Sequence, residues 1–416
     1  MTTIDPIYVG SDAISKLVEY ADQKQLRRFT IVCDDNTYRA LGQRVQQALA
    51  EHGLAVNVVR LTGAEVIADE HYLVQVLVEA PLDDRTYLAV GSGTLTDITR
   101  FVSHRTGKAF ISMPTAPSVD GFTSIGAPIV ISGVKQTILC QAPVALFADL
   151  DTLCSAPHKL IAAGFGDMIG KITSLADWKV GHIVWDEPFD EAIFKRSQAA
   201  IASCIKHAPE IGQNSREGVR QLMDALIESG LCMLDFGNSR PASGAEHHAS
   251  HYWEMKLLQE HRPAILHGAK VGFALTLVAE QYAKLRALSR QQMLDRLEAA
   301  TLPDREQEIA AIRQGYGALA DDVIREHAPF LDLTEAGFER VKKRIAECWD
   351  EIQAVAAMVP APQEIVGYLR QAGAATDGQS LGLGADEIPL GMQYGHYLRN
   401  RFTVMKLSRI LNIPLT

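Results

Sequence analysis

Through the first 150 residues, short β-branched apolar runs alternate with helical stretches. A chain patterned this way has few options besides a parallel sheet built from βαβ units. Strands are expected at Arg28 to Cys33, Val56 to Leu61, Tyr87 to Val90, Ala109 to Met113 and Val144 to Ala148. Thr37 to His52 and Asp69 to Ala80 carry apolar residues at helical spacing between them. Ile129 to Ile131 and Gln136 to Ile138, separated by Ser132-Gly133-Val134-Lys135, read as a hairpin inserted into that plan. Past Pro157 the texture changes to long Ala, Leu, Glu, Gln and Arg segments with a 3.6-residue period. Helices are expected at Asp190 to Lys206, Ser215 to Ser229, Ala245 to Gln259, Pro263 to Leu288, Asp304 to His327, Glu335 to Met358 and Glu387 to Leu411. The expected architecture is an α/β parallel-sheet domain over residues 1–157 followed by an all-α domain over 158–416.

Composition removes several function classes. Apolar residues make up 47% of the 416, as in an ordinary globular protein, so no long disordered region is expected. The formal charge is −10 with Lys and Arg scattered, which argues against a nucleic-acid partner. The amino-terminal residues carry no basic and apolar signal-peptide pattern, and the apolar stretch from Ile125 to Ala148 is broken by Lys135 and Gln141, so no membrane span is expected. Six cysteines stand far apart with no Cys-x-x-Cys pair; free thiols in a reducing cytoplasm are the expectation.

Tyr87-Leu88-Ala89-Val90 runs into Gly91-Ser92-Gly93-Thr94-Leu95-Thr96-Asp97, a strand passing through a glycine-rich turn into a helix. Small residues there let backbone N–H groups approach a pyrophosphate at a helix N-terminus, although the same turn also serves as a plain tight connection. The next strand leads into Pro114-Thr115-Ala116-Pro117-Ser118-Val119-Asp120-Gly121-Phe122-Thr123-Ser124. Hydroxyls of Thr115, Ser118 and Ser124 suit phosphate or carboxamide groups of a dinucleotide, and Asp120 suits a substrate hydroxyl. Asp34 and Asp35 follow the first expected strand, and either meet an adenosine ribose or begin a helix.

Asp167 lies inside Gly164-Phe165-Gly166-Asp167-Met168-Ile169-Gly170, an apolar context in which a carboxylate needs a partner or a metal. Gly244-Ala245-Glu246-His247-His248-Ala249-Ser250-His251 puts His247 and His251 four apart on one helical face, with His248 turned about 100° away. His267 then opens the next apolar helix. One Asp and two His from separate segments make a divalent-metal site with an open position. Zinc suits them best, and iron, nickel and cobalt also fit.

These residues resemble the sn-glycerol-1-phosphate dehydrogenase family, within the superfamily of iron-containing alcohol dehydrogenases, glycerol dehydrogenases and dehydroquinate synthases. Ala163 to Trp178 and Ser243 to Glu254 carry the resemblance most specifically. It implies a Rossmann-like domain and a helical domain with the active site in the cleft between them. It further implies NAD or NADP contacts at Gly91, Ser92, Gly93, Thr94, Leu95, Thr115, Ser118 and Ser124, a metal on Asp167, His247 and His267, and substrate contacts at Asp120, Asp167 and His251. Ser92 departs from the family's third glycine, and the tract from about Asp295 to Glu347 follows no family pattern that we can match. The implied reaction is reduction of dihydroxyacetone phosphate to sn-glycerol 1-phosphate, with Asp120 and His251 as catalytic residues, in a cytoplasmic homo-oligomer. A polyol dehydrogenase acting on an unphosphorylated compound, a dehydroquinate-synthase-like lyase and a catalytically silent nucleotide- or metal-binding protein are the alternatives. For the phosphate, Lys171, Arg240 and Lys270 are the candidate cations.

Overall fold

The computed structural model describes residues 4–63, 65–131 and 133–415; Ser132 of the expected hairpin turn lies outside them. The chain divides into two compact units, one of residues 1–168 and 206–235, the other of 169–205 and 236–416. A division by sequence texture at 157 therefore differs from the division by packing, which groups residues 158–168 and 206–235 with the sheet.

The first unit is a six-stranded parallel sheet: β1 (Ile7–Gly10), β2 (Arg28–Asp34), β3 (Ala55–Leu61), β4 (Thr86–Gly91), β5 (Phe110–Pro114) and β8 (Ala145–Asp149), in the order β1-β8-β5-β4-β2-β3. β6 (Gly126–Ile131) and β7 (Val134–Leu139) form the antiparallel hairpin that the sequence suggests. Strand periodicity sorts the core onto two faces. Ile31, Cys33, Leu88 and Val90 pack on one side with Leu17 of α1 (Ala13–Gln23) and Val45 of α2 (Gln43–Glu51). Val32, Tyr87 and Ala89 pack on the other with Val76 of α3 (Glu70–Glu79) and Ile98 of α4 (Gly93–Arg105). The expected helix from Thr37 is three pieces, because a short π-helical segment, Tyr38–Gly42, interrupts it ahead of α2.

The helix that matters most for the site has no counterpart among the sequence expectations. α5 (His158–Trp185) runs 28 residues through Gly164, Gly166 and Gly170. The glycines are there for close approach, not for a turn: a Cβ at Gly164 would lie 1.8 Å from the Pro117 carbonyl oxygen, and one at Gly170 would lie 2.4 Å from Val271 Cγ1. α6 (Arg216–Phe236) completes the first unit's helical share up to Asp235.

In the second unit, α7 (Ala245–Gln259) has the expected bounds, whereas α8 (His267–Arg286) starts four residues later than expected, at His267 itself. Three long expected helices are each divided. Asp304 to His327 becomes α9 (Arg305–Tyr316) and α10 (Ala320–Leu331), parted where Gly317 takes φ +52°. Glu335 to Met358 breaks at Cys348 into α11 (Glu335–Glu347) and α12 (Trp349–Ala357). Glu387 to Leu411 becomes α13 (Ile388–Gly395) and α14 (Val404–Ile410). α13 packs closely on α7: a Cβ at Gly391 would meet the Trp253 ring at 2.5 Å, and one at Gly395 would meet the Ala249 backbone nitrogen at 3.0 Å. Among the described residues no helix is long and apolar enough to cross a membrane.

Candidate functional site

In the sheet, β2 pairs with β3 on one side and β4 on the other, so the connections diverge between β2 and β4, where α/β sheets form a ligand crevice at the strands' carboxyl ends. Gly91 ends β4 at that point, and a Cβ on it would lie 2.5 Å from Leu95 Cβ, so the tight entry into α4 requires glycine. Ser92 is the N-cap of α4. Its Oγ lies 2.7 Å from Ser118 Oγ, and the Thr115 N–H donates to the Gly91 carbonyl at 3.3 Å, so the two loops read separately from the sequence form one surface. Leu95 is buried in the sheet core, which limits any nucleotide contact there to its backbone. Ser124 donates its hydroxyl to the Gly121 carbonyl at 3.2 Å, and Thr94 is half-buried. At the end of β2, Asp34 and Thr37 form a reciprocal capping box and Asp35 pairs with Arg60 at 2.7 Å, so this acidic pair opens a helix.

Arg100, a residue that the sequence reading did not single out, holds the second loop in place. Its fully buried guanidinium donates to Asp97 and to the Gly126 carbonyl, both at 2.9 Å, and to the Gly121 carbonyl at 2.5 Å. Removing it leaves buried carbonyls and a carboxylate unpaired. Arg100→Met is therefore expected to lower stability by about 3 kcal/mol and to weaken dinucleotide binding. Thermal unfolding with and without NADH measures both; an unchanged dissociation constant would remove the loop from the binding surface.

The Asp120 loop and α5 meet within the same unit. The Asp120 N–H donates to Asp167 Oδ2 at 3.1 Å, and Asp120 Oδ2 accepts from Ser229 Oγ at 2.8 Å. On α6, Gly230 makes room, because a Cβ there would lie 2.6 Å from the Asp120 carbonyl oxygen. Asp167 is fully buried, as its apolar surroundings in the sequence require.

The second unit gathers the three histidines. Ring centroids of His247 and His267 are 5.3 Å apart, those of His251 and His267 5.4 Å, and those of His247 and His251 6.1 Å. His247 Nδ1 lies 2.7 Å from Oε1 of Glu246, a fully buried carboxylate. Glu246 also accepts from Ser174 Oγ at 2.5 Å, Thr173 Oγ1 at 2.6 Å and the Gly244 N–H at 2.8 Å. Burial pushes its carboxyl up, but the bond to and charge of His247, with the two hydroxyls, outweigh that and hold it at about 2. When the His247 ring is neutral, the carboxylate accepting from Nδ1–H fixes the tautomer and leaves Nε2 as the lone-pair nitrogen, which is the arrangement of a metal-ligating histidine. His251 Nδ1 lies 3.2 Å from Glu254 Oε2, and Glu254 Oε1 lies 3.7 Å from the buried Lys270 ammonium. Ligand atoms of His251, Glu254 and His267 all fall within 4.8 Å of one another, so imidazoles and carboxylate converge as a divalent cation of the zinc class needs. His248, on the other side of α7, is buried, and burial holds it neutral.

Residues 8–157 match the family model of iron-containing alcohol dehydrogenases. Across nearly the whole length, the chain is 37% identical to a glycerol-1-phosphate dehydrogenase (NAD(P)+) of Geobacillus thermodenitrificans, over 97% of this chain and 92% of that protein. The chain belongs to the glycerol-1-phosphate dehydrogenase family. A family member from Bacillus subtilis is 38% identical over 97% of this chain and 91% of its own, and one from Halalkalibacterium halodurans is 51% identical over 67% and 71%. The fold is that of a glycerol dehydrogenase from Schizosaccharomyces pombe (TM-score 0.62, 16% identity, 98% of this chain and 87% of that one). An iron-containing alcohol dehydrogenase from Corynebacterium glutamicum is equally similar (TM-score 0.62, 12% identity, 99% and 95%). Within this family member, Glu246, Glu254 and Arg100 are the site-building residues that sequence reasoning missed. Of the candidate phosphate cations, Arg240 is engaged by the buried Glu187 at 2.9 Å and Lys270 donates to the Ile265 carbonyl at 2.8 Å.

Proposed function

We propose that the chain is an NAD(P)-dependent glycerol-1-phosphate dehydrogenase, reducing dihydroxyacetone phosphate to sn-glycerol 1-phosphate with the help of one divalent metal. The observation that carries this reading is the carboxylate-held cluster of His247, His251 and His267, in a chain 37–38% identical to proteins of that name over 97% of its length. Similarity to glycerol dehydrogenases is one of fold at 16% identity and gives an unphosphorylated substrate no preference.

In this reading Asp167, His247 and His267 hold the metal. Helix register supports Asp167: it precedes Gly170 by three residues on one face of α5, and Gly170 is where Val271 of α8 seats closely. The bound metal supplies Lewis-acid polarisation of the substrate carbonyl, toward a hydride from the nicotinamide. Asp167 and His251 position the substrate, and Asp120 accepts from its free hydroxyl. His251, oriented by Glu254, also orders the water through which the developing alkoxide gains its proton. Gly91 to Leu95, Thr115, Ser118 and Ser124 present N–H and hydroxyl donors to the dinucleotide. Reduction of dihydroxyacetone phosphate, linked to NADH or NADPH, is expected to exceed that of dihydroxyacetone by about 100-fold or more in kcat/KM. Equal rates would overturn the substrate assignment, and turnover without net NADH consumption would overturn the reaction class.

The chain works in the cytoplasm as a homo-oligomer in this reading. Free thiols at all six cysteines fit a reducing compartment. Val74, Leu77 and Val78 of α3 are exposed on one helical face, with Val78 at 77%, an apolar stripe suited to a symmetric partner. Val78→Lys is expected to lower the mass measured by light scattering to that of the monomer; an unchanged oligomer would place the interface elsewhere.

A further inference from the structure

The helical unit contains a cavity of about 440 Å³, within the size range of small-molecule sites, and none of His247, His251 and His267 lines it. It lies among the tract that follows no family pattern, with Trp185 and the chain's last helix completing the wall. Most of that wall is apolar. Its rings are stacked on one another, Trp185 on Phe330 at 4.5 Å and on Phe402 at 5.9 Å, and His327 on Phe330 at 5.1 Å between centroids. Leu331, Leu333, Val341 and Ile410 supply an aliphatic lining beside them. An alkyl chain suits such a surface, because its flexible body follows an irregular wall whose rings already serve each other.

The charges in the wall do not balance. Arg296, Arg305, Lys406 and Arg409 stand there against Asp295 and Glu308. Glu308 is taken by Arg409, which donates to both of its oxygens at 2.6 and 2.8 Å. Asp295 is exposed and accepts from Gln291 at 2.7 Å. Arg305 pairs with Asp332 at 3.1 Å, but that pair is solvent-exposed and contributes little. Arg296 and Lys406 have no carboxylate partner among the described residues. The buried Lys406 ammonium donates to the carbonyls of His396, Arg399 and Arg401 at 2.6, 3.3 and 2.7 Å, and lies 4.2 Å from the Phe330 ring centroid. Burial pushes it down to about 7, with the Arg409 and Arg401 charges adding to the effect against the pull of Glu187 and Asp177. Arg296 uses only Nη1, on the carbonyls of Leu411 and Asn412, both at 2.7 Å, which leaves Nε and Nη2 as charged donors. Two cations without an anion in a largely apolar wall make an arrangement that an acidic head group completes.

We propose that this cavity binds a carboxylate of the fatty-acid class, its alkyl body among Leu331, Phe338 and Val341 and its head group accepting from Arg296 in the field of Lys406. The probe is decanoate, with 1-decanol as the same body without the charge and acetate as the head group without the body. Binding to the full-length, metal-loaded protein is followed by calorimetry below micellar concentrations. Decanoate is expected to bind at least about tenfold more tightly than 1-decanol, with an affinity that falls as salt is added, and acetate is expected not to bind. Arg296→Gln is expected to erase the preference for the carboxylate and to keep 1-decanol binding, which shows the cavity intact. Ala300→Trp, which fills the cavity from its wall and lies outside the proposed catalytic residues, is expected to abolish binding of both while leaving turnover unchanged. Equal affinities for decanoate and 1-decanol, or acetate binding as tightly as decanoate, would overturn the proposal. So would undiminished decanoate binding to folded Ala300→Trp, which would place the carboxylate elsewhere, the metal included. Thermal unfolding checks that variant's fold, and Arg296→Gln decides without it, since an unchanged decanoate affinity there removes the head-group site.

Discussion

Replacing Asp167 or His267 by alanine is expected to remove the metal and the dehydrogenase activity together. Loss of the cation's stabilisation of developing negative charge, worth several kcal/mol, lowers turnover by about 10³-fold or more. The effect on folding is smaller and separable. Asp167 is fully buried, so its removal relieves one desolvated charge and leaves the Asp120 N–H without the acceptor it now has at 3.1 Å, a loss of about 1–3 kcal/mol. His267 is only half-buried at the first turn of α8, where alanine is a good helix former. Metal analysis, NADH-linked turnover and thermal unfolding on the same preparations distinguish the outcomes. A folded variant that lacks metal and keeps full turnover would sink the assignment. One that keeps the metal would move the ligand set toward His251 and Glu254, whose ligand atoms also converge with those of His267.

How much of this could be read from the chain follows from which residues speak locally. Short continuous apolar runs located five of the six sheet strands, since a strand buried on both faces, with Ile31 and Cys33 on one and Val32 on the other, reads as an unbroken apolar segment. The edge strand β1, with one strand neighbour and four residues, gave too short a pattern. α5 was hidden by its own glycines. Gly164 and Gly170 look like helix breakers until Pro117 and Val271, distant in sequence, are seen to occupy the space where a Cβ would project. His247, His251 and His267 were legible because an i,i+4 spacing and a helix start are local facts. Glu246 was not. An acidic residue in the first turn of a helix is an ordinary surface feature, and only Thr173 and Ser174 from α5 make it a buried carboxylate with a full set of donors. Arg100 is the same case, a helical arginine whose importance lies entirely in the carbonyls of a loop more than twenty residues later.

Glu246→Gln tests that tertiary assembly, and its expected effect is a 10- to 100-fold weaker metal affinity, roughly as for other carboxylates behind ligating histidines. The amide keeps the shape of the side chain but not the charge that makes the His247 ring a strong donor, and its NH2 group faces donors on at least one side. Acid stability gives an independent reading. The folded carboxyl sits at about 2, against an ordinary value of 4.5, so the unfolded chain binds a proton at a pH where the native one does not. Stability from Glu246 is therefore present at about pH 5, while His247 is still charged, and is lost progressively as the pH falls toward 2. The glutamine variant lacks this term, so its stability falls less steeply than that of the unsubstituted protein between pH 5 and about pH 2, although it starts lower at neutral pH. Urea titrations of the metal-free protein across that range measure the slope. Parallel pH profiles for the two proteins would mean that the Glu246 carboxylate does not hold His247 in place.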